Sequence, residues 1–179
     1  MGEMPGQHRV FIDSATPPGG AEAVLYSNNL YTANESAYSI EAEDLAMIIC
    51  FRHFSTIFAY NDAMWAKYGE QFSGMVGFVD PNTEAAPKTN LMDSSDYGMA
   101  LPNFGATIST HIERGGQFAV CAAATSFFSR NIAEMTGGSA EEINAELVAN
   151  AIPNSHFMSA GVVALTRAQE YGYSVLVAG

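Results

Sequence analysis

Two cysteines and four histidines carry most of the reactive chemistry available to this chain. Cys121 closes a short β-branched and aromatic run, 117–121, and the alanine-rich segment after it reads as a helix. A thiol at such a junction meets orphan backbone N–H groups and the positive end of the helix dipole, which stabilise negative charge on sulfur and make it a nucleophile. The competing reading is a buried cysteine that fills space beside Ala119, Ala122, Ala123 and Ala124. Cys50 lies inside the apolar run 45–51 and reads as core packing. The two are far apart in sequence and form no CxxC pair, so neither a zinc knuckle nor a disulfide framework is read; two separate buried thiols are expected, with one disulfide between them as the alternative.

A second constellation comes after that apolar run. Arg52, His53, Asn61, Asp62 and Trp65 crowd polar and aromatic groups into a short stretch, and burying them costs energy unless they bond one another or a ligand. They are therefore the candidate ligand-binding residues, although Trp65 with Met64 and Phe58 also fits a core position. His53 could carry a proton, donate to a ligand or a persulfide, ligate a metal, or simply cap a strand end. His111-Ile112-Glu113 echoes the start of a zinc deaminase signature, but no Pro-Cys-x-x-Cys comes after it, and the match is dismissed. Phosphate-loop, dinucleotide and serine-hydrolase motifs all lack their defining residues. No cofactor and no metal is expected.

Charge narrows the partners. Seven basic against nineteen acidic residues give a formal charge of -12, which repels phosphate backbones and anionic lipid, so nucleic acid is not an expected partner. The longest apolar run, 45–51, falls far short of the roughly 18 to 20 residues that span a bilayer, so no membrane span is expected. The first residues have neither a basic region nor an apolar stretch. The reading is a cytoplasmic protein as the sequence stands, with a periplasmic location if the chain is a processed mature form.

The elements that must position these residues can be read from periodicity and punctuation. Strands are expected at 9–13, 46–51, 117–121, 156–158 and 173–177, the second apolar on consecutive positions as in a strand covered on both faces. Helices are expected at 21–38, 60–67 (capped by Asn61 or Asp62 and ended by Gly69), 104–113, 122–135, 140–150 and 160–171. The Pro17-Pro18-Gly19-Gly20 cluster reads as a turn. The stretch 80–103 has no periodicity and reads as a long loop that is a lid, a subunit contact or a disordered insertion. Strands alternating with helices call for one α/β domain over 1–179, a three-layer α/β/α sandwich on a five-stranded parallel sheet. In such sheets reactive groups gather at the carboxyl ends of the strands, here Arg52-His53, Cys121, and a fourth-strand end near Asn154 and His156. An apolar content of 48% with eleven Phe and eight Tyr exceeds what a small core easily holds, which favours a homo-oligomer.

From Cys121 onward the order of features resembles the DsrE/DsrF-like family: the strand ending in Cys, paired helices, Ile152-Pro153-Asn154-Ser155-His156, Ser159-Ala160-Gly161-Val162-Val163-Ala164-Leu165, and Gln169-Glu170-Tyr171-Gly172-Tyr173 before a closing strand. Arg52-His53 with Tyr60-Asn61-Asp62-Ala63-Met64-Trp65-Ala66-Lys67-Tyr68-Gly69 is similar to a bacterial branch of it whose members often carry a twin-arginine export signal. The resemblance implies assembly into trimers or hexamers. In the sulfur-relay members it implies a cysteine that holds sulfur as a persulfide and hands it to a sulfur-carrier protein, which would here be Cys121. The relay members lack the 52–69 motif and the long loop. The alternative function is a non-catalytic oligomeric module that binds a small ligand or a protein.

Overall fold

The computed structural model describes residues 1–179. Five parallel strands, β1 (His8–Ser14), β2 (Leu45–Phe51), β3 (Gln117–Cys121), β4 (Ser155–Met158) and β5 (Ser174–Ala178), form one sheet in the order β4-β3-β2-β1-β5. The apolar run 45–51 is the middle strand and is buried along its whole length. Its alternate side chains serve two cores. Met47, Ile49 and Phe51 enter the larger cluster with α1 (Pro17–Tyr38), α2 (Asp62–Val76) and α4 (Ala122–Thr136), whereas Ala46, Ile48 and Cys50 enter a smaller one with α6 (Gly161–Glu170).

The handedness of the crossovers explains that division. From β1 through β2 and β3 to β4 the chain moves in one direction across the sheet, so right-handed connections put α1 to α5 on one face. From β4 it returns past every strand to pair β5 with β1, and the same hand puts α6 on the other face. Helices cover both sides, five on one and one on the other. No helix is long and apolar enough to cross a membrane.

Several expected boundaries move. Pro17-Pro18-Gly19-Gly20 is the first turn of α1: Thr16 caps it by accepting the Gly19 N–H at 3.1 Å, and proline is at home where N–H groups have no helical partner. Helix α2 runs through Gly69 to a left-handed Gly77. Gly69 is there because a Cβ would fall 2.1 Å from the Pro87 carbonyl oxygen. Helix α3 is only Ile108–Glu113, since Phe104 and Gly105 take left-handed backbone angles and Thr107 caps the shortened helix. Residues 80–103 form a strap packed on the large core by Leu91, Met92 and Leu101. Asn90 fastens it, donating from Nδ2 to the carbonyls of Phe58 and Tyr60 at 2.9 and 3.0 Å and from its backbone N–H to Asp62.

His111 is structural. It is buried between Ser27 and the Gln117 carbonyl. The carbonyl can only accept, so Nε2 carries the proton and Nδ1 accepts from the Ser27 hydroxyl. Burial lowers its pKa from 6.5 to about 4. Between these values the unfolded chain binds a proton that the native state refuses, so stability falls as pH drops from about 6.5 toward 4, by up to roughly 3 kcal/mol. Urea midpoints measured across that range will fall more steeply for the wild type than for His111→Gln.

Candidate functional site

The connection after β3 leaves toward the face of α4, and the connection after β4 leaves toward the face of α6. Neighbouring strands whose connections part in this way leave a crevice outside their carboxyl ends. A cavity of about 390 Å³ opens there. Its walls are Arg52, His53 and Phe54 from the end of β2, Cys121 with Ala123, Ala124 and Phe127 from the start of α4, and Ala160, Gly161 and Val162 from the start of α6.

Cys121 is the N-cap of α4. Its Sγ accepts the Ala124 N–H at 3.4 Å, so the sulfur takes the place that a Ser or Asp oxygen usually fills. Its carbonyl accepts from the Thr125 hydroxyl at 3.0 Å, and Thr125 in turn accepts from the Tyr60 hydroxyl at 2.9 Å. Burial pushes the Tyr60 pKa up, which keeps that donor protonated. The residue is only 6% exposed, and the exposure it has is toward the cavity.

Cys50 has different surroundings. It is fully buried beside Phe11, Ala46, Ile48 and Ala119 under α6. Burial, then the nearby Asp13 carboxylate, push its thiol pKa up. Cys50 pairs in register with Ala119, so Cys121 is its diagonal neighbour two positions on. Both thiols are free.

Arg52 forms the cationic wall. Nε and Nη2 donate to the two oxygens of Asp13 at 2.8 and 2.7 Å. Asp13 is the last residue but one of β1 and is 2% exposed at its side chain, against 25% for Arg52. The bond to Asp13 is the main reason that the Arg52 pKa is raised, and Nη1 stays free of protein partners. Helix α6 starts directly on the arginine stem: a Cβ on Gly161 would lie 2.3 Å from Arg52 Cβ. The α6 N-cap, Ala160, has no side chain that can accept from the first turn. His53 turns the chain away from β2 with φ of 54° and leaves its imidazole exposed, edge-on to Phe54. A non-glycine residue there carries strain of about 1 to 2 kcal/mol.

The fold thus gathers Cys121, Arg52 and His53, and it takes Asn61, Asp62 and Trp65 elsewhere. Asn61 caps α2 by accepting the Met64 N–H, and Asp62 receives the strap. Trp65 is buried among Phe58, Phe72 and Phe78 in the large core, its Nε1 without a partner. Asn154 precedes β4 and bonds the Gly116 carbonyl, so it belongs to the amino end of the sheet, while His156 is an exposed residue within β4 that meets Gln117. The residues missed in the sequence are Asp13, Phe127 and the 160–162 turn. An acid ending an apolar strand, and a small residue opening a helix, were the available signals.

No protein-family model matches the chain, and no curated protein does. Among solved structures it is similar to a protein of unknown function, MTH1491 from Methanobacterium thermoautotrophicum. The TM-score is 0.47 and the identity 11%, over 96% of this chain and 99% of that one. In the native protein iodoacetamide will modify Cys121 and spare Cys50, and peptide mapping will find Cys50 modified only after denaturation; equal labelling under native conditions would contradict the burial difference.

Proposed function

We propose that the protein carries sulfane sulfur as a persulfide on Cys121. The observation that carries this reading is a cysteine at the N-cap of α4, its sulfur accepting a backbone N–H, in the wall of a cavity that also holds a guanidinium. The resemblance of the 117–177 region to DsrE/DsrF-like proteins supports it. In loading, the Cys121 sulfur attacks the terminal sulfur of a donor; a new S–S bond forms on Cys121 and the donor leaves with the electron pair of the bond that breaks. In unloading, a partner's thiolate attacks the outer sulfur and Cys121 leaves as thiolate. Cys121 sulfur is negative at the start of loading, when it attacks, and at the end of unloading, when it leaves, and the Ala124 N–H is the donor that faces it in both states.

Incubation with a sulfane-sulfur donor is expected to add about 32 Da, one sulfur atom, to the intact mass. The increment should disappear in Cys121→Ser, persist in Cys50→Ser, and be removed by a thiol reductant. A wild-type mass that never changes would exclude the carrier.

The apolar lining supplied by Phe54, Ala123, Ala124, Phe127 and Val162 favours a second reading, a module that holds a small molecule without sulfur chemistry. A ligand that co-purifies and is retained equally by Cys121→Ala would select it.

Assembly into trimers or hexamers belongs to the same proposal. The face covered by α6 alone leaves Val162, Val163, Tyr171 and Val177 exposed, apolar groups of the kind that a partner surface covers. Native mass spectrometry should give a discrete oligomer, and Val177→Lys should shift it toward monomer.

A further inference from the structure

The cavity that holds Cys121 also has a chemical character of its own. Although the chain has nineteen acidic residues, the segments that build this end of the sheet have almost none. No Asp or Glu occurs from Leu45 to Asn61, from Ala122 to Ala133, or between Glu146 and Glu170. Asp13, at the end of β1, is consumed by Arg52. The one cationic wall therefore faces no competing carboxylate among its own segments. Arg52 keeps Nη1 free, and the first turn of α6 is uncapped beside it. Opposite this polar corner the surface is hydrocarbon. Phe127 and Val162 line the cavity while 41% and 58% exposed, which places apolar groups at its mouth as well as inside.

We infer that the sulfur donor is a small organic anion with an apolar body, of the thiosulfonate class R–SO2–S⁻. This rests on Cys121 being the sulfur acceptor. The sulfonyl oxygens take the free guanidinium N–H groups, the body R lies against Phe54, Phe127 and Val162, and the terminal sulfur meets Cys121. A benzene ring fits an apolar cavity of roughly 150 Å³, and this one offers about 390 Å³. The bond from Cys121 Sγ to the terminal sulfur forms as the bond from that sulfur to the sulfonyl sulfur breaks; its electron pair leaves with the sulfinate R–SO2⁻. Sulfur passes at the sulfane oxidation level, so no other oxidant or reductant is needed. Two anions must approach one another in this step, and although Asp13 balances the charge of Arg52, its free Nη1 N–H groups can hold the incoming one by charge-assisted hydrogen bonds. Inorganic thiosulfate has the charge without the body, and a peptide persulfide would bring polar groups against the phenyl wall, where they lose water without gaining partners.

The test compares benzenethiosulfonate, thiosulfate and inorganic polysulfide as donors to the full chain, with loading followed by intact mass. Benzenethiosulfonate should load Cys121 at least about tenfold faster than thiosulfate, the factor that about 1.4 kcal/mol of extra binding gives. Phe127→Ser, at a half-exposed position, should erase most of that preference while leaving thiosulfate and polysulfide loading within about twofold of the wild type. Benzenesulfinate should protect Cys121 from iodoacetamide, and sulfite should not. Equal rates for benzenethiosulfonate and thiosulfate, or protection by sulfite as good as by benzenesulfinate, would overturn the inference while polysulfide loading left the persulfide reading standing. No mass increment from any donor would remove both.

Discussion

A carboxylate placed almost out of reach of water needs a partner, and the pairing of Asp13 with Arg52 is the interaction on which this site is built. Removing one member of such a pair commonly costs about 3 to 5 kcal/mol, because the survivor is stranded. Here the pair does more than neutralise. It joins the ends of β1 and β2, lays the arginine stem flat, and makes that stem the floor on which Gly161 begins α6. Only a residue without a side chain can start a helix so close, so ion pair, glycine and helix origin form one mechanical unit.

The second constraint is topological. Three crossovers in one direction and one return in the other, all of the same hand, force the connections after β3 and β4 apart. The crevice is therefore a product of strand order, and the residues that fill it are whatever the chain places at three strand exits. This chain places a cysteine, an arginine and small apolar residues there. Cys50, on the neighbouring strand and in register with Ala119, points to the same side of the sheet as that alanine but lies under the body of α6, which is why two similar thiols have different surroundings.

The sheet, its parallel sense and the middle position of 45–51 were legible because consecutive apolar residues and Gly or Ser punctuation report burial directly. Cys121 at a strand-to-helix junction was legible for the same local reason. What sequence proximity could not show is where a chain goes after a strand ends. Arg52 and Asn61 are neighbours along the chain, but the 3-10 segment His53–Ala59 lies between them, and at roughly 2 Å per residue it carries Asn61 about 14 Å onward. Asp13 and Arg52 are far apart in sequence and meet only because β1 and β2 pair. The Pro-Pro-Gly-Gly cluster misled because the same residues suit a turn and a helix start, and only the Thr16 cap distinguishes them.

The pairing of β5 with β1 has a kinetic meaning. Val10 and Ser174, partners in that ladder, are separated by nearly the whole chain, so the outer edge of β1 has no native mate until the far end of the polypeptide has formed. Contacts of such long sequence range slow folding. During that delay an open ladder of amides and carbonyls is available to any other copy in the same state, and cross-chain strand addition is the misassembly this architecture must outrun.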